Sequence, residues 1–191
     1  MTGSLLIHAV IPRSRANGPG ERMTVWVQGC SLACAGCFNP DTHPDGGRGD
    51  RRTVDELLAA AEAEQDRIEG VTLTGGEPLQ QPGAVAAFAA GLKRRTGLGL
   101  IILTGYSRPE IESDPARLSA VADADLVVAG RYQRRAHLGG GLRGSSNKAY
   151  WWRTGRYRHI DLESVPDLEV LVGADGTLTI TGMAAPGIGA A

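Results

Sequence analysis

The chain has 191 residues, with 20 Lys plus Arg against 21 Asp plus Glu; that length predicts about one domain with one core, and a net charge of -1 excludes a polybasic nucleic-acid coat or an acidic tail. Gly supplies 27 positions, about twice its usual share and without a collagen period, which predicts tight turns and close backbone approaches. No apolar run approaches the roughly 18 residues of a membrane span, and Leu5 to Ile11 lacks the basic flank and cleavage pattern of a leader, so the cytoplasm is the expected address.

In chain order, Leu5 to Ile11 reads as a strand, followed by a loop with strong turn chemistry at Asn17-Gly18-Pro19-Gly20. Met23 to Gln28 reads as a second strand that delivers Gly29 and Cys30 at its carboxyl end, and Pro40 to Arg52 as an exposed connection. Thr53-Val54-Asp55-Glu56 is a capping box, and Val54, Leu57, Leu58 and Ala61 recur on one face, so a helix runs to about Gln65. Val71 to Thr74 is a β-branched run ending in Gly75-Gly76-Glu77-Pro78, and Pro82 starts a helix through about Arg95.

Leu98 to Leu103 has the continuous apolar pattern of a strand buried on both faces, ending at Thr104-Gly105-Tyr106. Asp114-Pro115 caps a short helix over Ala116 to Ala122, and Ala124 to Ala129 is another buried strand. Strands alternating with helices predict right-handed βαβ units and a parallel sheet. Arg131 to His159 breaks the rhythm, with seven Arg and Lys148 but no carboxylate, a local positive surface. Leu168 to Val172 and Thr177 to Thr181 read as a hairpin through Asp175-Gly176. The expected organisation is one domain over residues 1–183, with a loop at 29–40 that carries the cysteines, and a flexible tail at 184–191.

Cys30, Cys34 and Cys37 are the three cysteines of the chain, spaced C-x3-C-x2-C. An odd number so close together makes no disulfide framework; it suits thiolate ligation of metal, with three buried apolar thiols as the bland alternative. A structural zinc site wants four ligands. His43 is the nearby candidate for a fourth, but Pro40 and Pro44 flank the turn that would have to bring it in. An iron-sulfur cluster held by three thiolates leaves one iron open to a small molecule.

The cysteine run at a strand top, followed one βα unit later by Gly75-Gly76-Glu77-Pro78, resembles the radical S-adenosylmethionine superfamily. Within it, Gly36-Cys37-Phe38-Asn39, Thr104-Gly105-Tyr106 and Arg143-Gly144-Ser145-Ser146-Asn147 resemble the anaerobic ribonucleotide reductase activating proteins, one of the glycyl-radical enzyme activases. Many superfamily members carry an aromatic residue just before the last cysteine; here Gly36 stands there and Phe38 follows, as in the activating branch. The resemblance implies an α/β fold of the partial, incomplete βα-barrel type, a single 4Fe-4S cluster on Cys30, Cys34 and Cys37, and S-adenosylmethionine chelated at the open iron.

By the same resemblance, Glu77 lies near the methionyl ammonium, with an exposed surface carboxylate as its alternative. Gly75, Gly76 and Pro78 shape the loop at the methionyl end, where a Cβ would collide with the ligand. Gly36, Phe38 and Asn39 serve the adenine, and Thr104 and Tyr106 the ribose or substrate side; Asp125, Gly130 and Arg131 are weaker candidates. No protein acid or base is nominated. The chemistry implied is reductive cleavage of S-adenosylmethionine to a 5′-deoxyadenosyl radical that abstracts hydrogen. Expected partners are a one-electron donor of flavodoxin or ferredoxin type and a glycyl radical enzyme whose glycine is activated. A small metabolite or precursor peptide is the alternative substrate, and a non-catalytic iron-sulfur or zinc protein the alternative from another class.

Overall fold

The computed structural model describes residues 3–43 and 49–183; the tail expected at 184–191 and part of the connection after Pro40 lie outside the described residues. Among the described residues nine strands form: β1 (Ser4–Ser14), β2 (Arg22–Val27), β3 (Asp50–Thr53), β4 (Gly70–Gly75), β5 (Gly99–Thr104), β6 (Leu126–Ala129), β7 (Ala149–Trp152), β8 (Glu169–Val172) and β9 (Leu178–Thr181). The helices are α1 (Val54–Glu64), α2 (Pro82–Arg95), α3 (Arg108–Glu112) and α4 (Pro115–Ala120).

Seven strands make one mixed sheet in the order β3-β1-β2-β4-β5-β6-β7. Its centre, β2-β4-β5-β6, is parallel, whereas β3 and β1 on one side and β7 on the other run antiparallel to their neighbours. Strands β8 and β9 form a separate antiparallel hairpin. The expected strands and long helices form within three residues at each end, and the exposed connection proves to end in β3, which pairs Asp50–Thr53 with Ser4–Ile7.

Local sequence explains the helix ends. Thr53 and Glu56 form the reciprocal capping box, α2 begins with Pro82 and ends on Lys93, Arg94 and Arg95, and Asp114 accepts from two amides at the start of α4. Alternation along the strands then splits the core. Val25, Leu73, Ile102 and Val127 face the packed residues Leu57, Leu58, Phe88 and Leu92 of α1 and α2. Their neighbours Ile101, Leu103, Leu126 and Val128 turn to the other side, where Leu142, Tyr157 and Leu162 cover them. Both faces of the parallel strands are therefore apolar where β5 and β6 lie. Helices lie on one face only, and the segment after β6 closes the other.

Candidate functional site

The carboxyl ends of β2, β4 and β5 open into one cavity lined by Cys30, Cys34 and Cys37, by Gly75, Gly76 and Glu77, and by Thr104 and Gly105. The parallel register lays Trp26 and Val27 beside Thr74 and Gly75, so the ends of β2 and β4 coincide. Crevices at the carboxyl ends of parallel strands are where open α/β sheets bind ligands.

The cysteine loop leaves β2 through Gly29, whose φ of 101° suits a residue without Cβ. Side-chain amides hold the loop. Gln28 Nε2 donates to the carbonyls of Asp41 and His43, and Gln80 bonds both the amide and the hydroxyl of Ser31. Gln81 donates to the carbonyls of Leu6 and Gln28. Gln80 and Gln81 stand directly after the glycine-rich loop, yet nothing in their residue type marked them as braces.

All three cysteines are free and half-buried. Burial pushes the Cys30 and Cys37 thiols above the ordinary range, with backbone hydrogen bonds from Leu32 and Asn39 acting the other way. A cation is therefore needed to hold them as thiolates, and ligation displaces their protons. Among the described residues no three His, Cys, Asp or Glu side chains are grouped tightly enough for a single metal ion, and His43 does not line the cavity. Three soft sulfur donors spread around a cavity fit a multi-iron cluster with one open position. Glu77, the carboxylate in the same lining, is already committed elsewhere.

Glu77 is 1% exposed, not a surface carboxylate. Its Oε1 accepts from the Leu79 amide at 2.9 Å and the Thr104 hydroxyl at 2.7 Å, and its Oε2 accepts from the Gly105 amide at 2.7 Å. Burial raises its pKa while these three donors lower it. One lone pair on Oε2 is left for a ligand. Glu77 thus ties the β4 loop to the top of β5 and still edges the cavity.

The glycines before it answer to the chain itself. Gly75 has φ of 100°, and a Cβ there would meet Trp26 Cα and Val27 N at 2.7 Å; at Gly76 it would strike the Gly29 carbonyl. Collision with β2 and the first residue of the cysteine loop therefore constrains both positions in the protein itself. That approach lets the Gly76 and Glu77 amides donate to Val27 and Gly29 at 2.8 Å.

Phe38 and Asn39 line the cavity. The Phe38 ring packs 4.4 Å from Tyr132 and 5.3 Å from His137, and the Asn39 amide donates to Cys37 Sγ at 3.4 Å. Gly36 lies instead on the outer side of the loop, beside Arg134. Pro78 is buried at the start of a single 3-10 turn, away from the cavity lining. Thr104 lines the cavity, but its hydroxyl donates to Glu77 and accepts from Tyr106 N. Tyr106 is packed in the core beneath Arg117, whose guanidinium sits 3.9 Å from the ring centroid. Asp125 accepts from the Leu100 amide and the Thr154 hydroxyl, at the opposite end of β5 from the cysteines. Arg131 bonds the Gly105 carbonyl and Glu110, behind the β5 loop, while Gly130, at φ of 129°, ends β6 with its amide on Thr104 O.

Lys148 enters the site without having been marked as more than part of a basic run. It lines the cavity, and burial lowers its pKa against the attraction of Glu77, Cys34 and Cys37. It is a cation beside Cys34, Cys37 and Glu77. Only the fold reveals this, because β7 returns antiparallel along β6 and brings the residue before Ala149 to the cavity.

A 4Fe-4S single cluster domain model matches residues 16–151 of the chain. The anaerobic ribonucleoside-triphosphate reductase-activating protein of Enterobacteria phage T4 is 31% identical over 156 residues, spanning 78% of this chain and 96% of the phage protein. The protein of that name from Vibrio cholerae is 29% identical over 147 residues, 74% of this chain and 94% of its own. The pyruvate formate-lyase-activating enzyme of Listeria monocytogenes is 40% identical over 78 residues, 39% of this chain and 32% of that enzyme. Among solved structures, QueE from Escherichia coli aligns with a TM-score of 0.47 at 18% identity, over 55% of this chain and 53% of that one. With the match spanning most of the chain and the phage protein covered almost end to end, the chain belongs to the 4Fe-4S single cluster domain family of radical S-adenosylmethionine enzymes, which carry a 4Fe-4S cluster and use S-adenosylmethionine.

Proposed function

We propose that this protein activates a partner enzyme, an anaerobic ribonucleoside-triphosphate reductase, by removing hydrogen from a glycine Cα. The observation that carries the reading is the meeting of Cys30, Cys34 and Cys37 with Gly75, Gly76 and Glu77 in one cavity at the carboxyl ends of three parallel strands. When bound, the cluster and S-adenosylmethionine supply one-electron cleavage of the sulfonium and a 5′-deoxyadenosyl radical.

The residues of the chain hold, orient and exclude. Three thiolates hold the cluster and leave one iron without a protein ligand. The spare lone pair of Glu77 accepts from the methionyl ammonium, and the Lys148 ammonium offsets the negative charge gathered around it. Phe38, backed by Tyr132 and His137, forms an apolar wall suited to the adenine. We read the sheet as an incomplete barrel within a single domain at 1–183. Helices on one face only, and an open strand order with edges at β3 and β7, support it. The open side gives a partner's loop a way in. Among the described residues no helix is long and apolar enough to cross a membrane, in keeping with a cytoplasmic address.

Anaerobically reconstituted protein is expected to be brown, with about four irons. After reduction it should convert S-adenosylmethionine to 5′-deoxyadenosine and raise a glycyl-radical doublet in the partner's electron spin resonance spectrum. Colourless protein holding one zinc would end the reading. Cys34→Ala should lose both cluster and cleavage, and turnover at the wild-type rate by that variant would refute the ligand assignment. Deuterium transfer from a labelled metabolite or peptide, with no radical on the partner, would move the substrate to that class.

A further inference from the structure

The basic segment after β6 is less positive in the fold than in the sequence. Arg131 pairs with Glu110, Arg143 with Glu163, and Arg156 bonds the Gly97 carbonyl near Glu69. Arg153 lies over Trp151. Arg134 and Arg135 differ. Both are exposed, and neither guanidinium makes a hydrogen bond or ion pair among the described residues.

These two guanidiniums border an open depression with Ala35 and Gly36, the two residues between Cys34 and Cys37. Gly36 is exposed at φ of 73°, and a Cβ there would lie 3.0 Å from Arg134 Cδ, so Arg134 rests directly on the loop. The cysteine loop therefore has two faces. Its inner face turns Cys34 and Cys37 into the cavity, where ligand and substrate must sit. Its outer face meets solvent beside two uncompensated positive charges, on a protein whose net charge is -1.

A cluster that is used reductively has to receive an electron by a route that leaves the substrate side free. We propose that the outer face of the cysteine loop, marked by Arg134 and Arg135, is the docking surface for an acidic one-electron carrier protein bearing a reduced flavin or iron-sulfur centre. This rests on the function proposed above. Exposed guanidiniums suit carboxylates in paired geometry, and complementary charge speeds and orients encounter in a salt-dependent way. At docking, one electron leaves the carrier, which is oxidised, and enters the cluster, which is reduced; no bond is made or broken in that step. Ala35 and Gly36 carry almost no side chain, so a carrier seated there lies against the backbone that holds two of the three sulfurs.

The test compares wild type with the double variant Arg134→Glu/Arg135→Glu in 5′-deoxyadenosine formation, driven either by dithionite or by reduced flavodoxin at subsaturating concentration. The double variant should lose roughly tenfold or more of the flavodoxin-driven rate and its sensitivity to salt. Iron content and the dithionite-driven rate should be unchanged, and Arg134→Lys/Arg135→Lys should keep most of the flavodoxin-driven rate. A flavodoxin-driven rate equal to wild type would overturn the docking surface. So would equal loss with both reductants, or loss confined to glycyl-radical formation, which would give the patch to the substrate protein. Wild-type protein that fails to cleave S-adenosylmethionine even with dithionite would instead overturn the proposed function.

Discussion

At Glu77 a single carboxylate accepts from two amides and a hydroxyl contributed by two different strand tops. Glu77→Gln keeps the shape but puts an NH2 where an acceptor stood. The least costly orientation leaves the Gly105 amide facing another donor, at about 1–3 kcal/mol for a buried unsatisfied group. The variant should therefore melt several degrees lower in thermal unfolding, and its S-adenosylmethionine affinity by equilibrium dialysis should fall. Unchanged melting would show that the carboxylate is not the tie described. The residues around it also show what a sequence reveals at this scale. The cysteines and the Gly75-Gly76-Glu77 run were legible because their chemistry and spacing are unusual. Lys148, Gln80 and Gln81 were not, because a lysine in a basic loop and glutamines after a turn look the same whether solvated or aimed at a site. The second constraint on Gly75 and Gly76 was not legible for a related reason: their closest neighbour, the backbone of β2 and Gly29, is remote in sequence.

Short elements depend on side-chain ties more than on propensity, and α3 is an example. Glu110 accepts from the amide and hydroxyl of Ser107 at 2.7 and 2.6 Å and pairs with Arg131. The Ser107 hydrogen bonds, then Arg131, lower its pKa from 4.5 to about 2. A carboxylate whose folded pKa is depressed stabilises the fold above its unfolded pKa, and that contribution fades as pH falls through the folded one. Urea unfolding should accordingly show stability lost between about pH 4.5 and pH 2 that Glu110→Gln does not lose; parallel pH profiles for the two proteins would contradict it. The long elements were legible in sequence because capping boxes, Pro at N1 and apolar periodicity are local signals. Strands β3 and β7 were not. Asp50–Thr53 and Ala149–Trp152 lack alternation and become strands only by pairing with Ser4–Ile7 and Leu126–Ala129. Within β7, Trp151 is held between Arg108 and Arg153.

Across the whole molecule the sheet has a fastened end and an open one. At the amino ends of the parallel strands Arg22 is fully buried and forms no ion pair among the described residues, Glu69 and Asp125 attracting it without contact. It donates to Tyr157 Oη at 2.8 Å, to Thr72 Oγ1 at 2.9 Å and to the carbonyls of Pro19, Val71 and Gly99. Burial lowers its pKa, and Tyr157, the largest opposing influence, raises it. Tyr157→Phe leaves one N–H of a buried cation without its acceptor, a loss of about 1.5–3 kcal/mol. It should lower the urea midpoint while iron content and S-adenosylmethionine cleavage per folded molecule stay as in wild type, since the cysteines sit at the other end; a change in cleavage would show that the two ends are coupled. The braces on the cysteine loop have a different character. Gln28, Gln80 and Gln81 are carboxamides, which neither ionise across the biological pH range nor attract counterions. Brine therefore has no handle on that mooring, so loss of iron at high salt must begin at the sulfur atoms themselves, with the surrounding scaffold still in place.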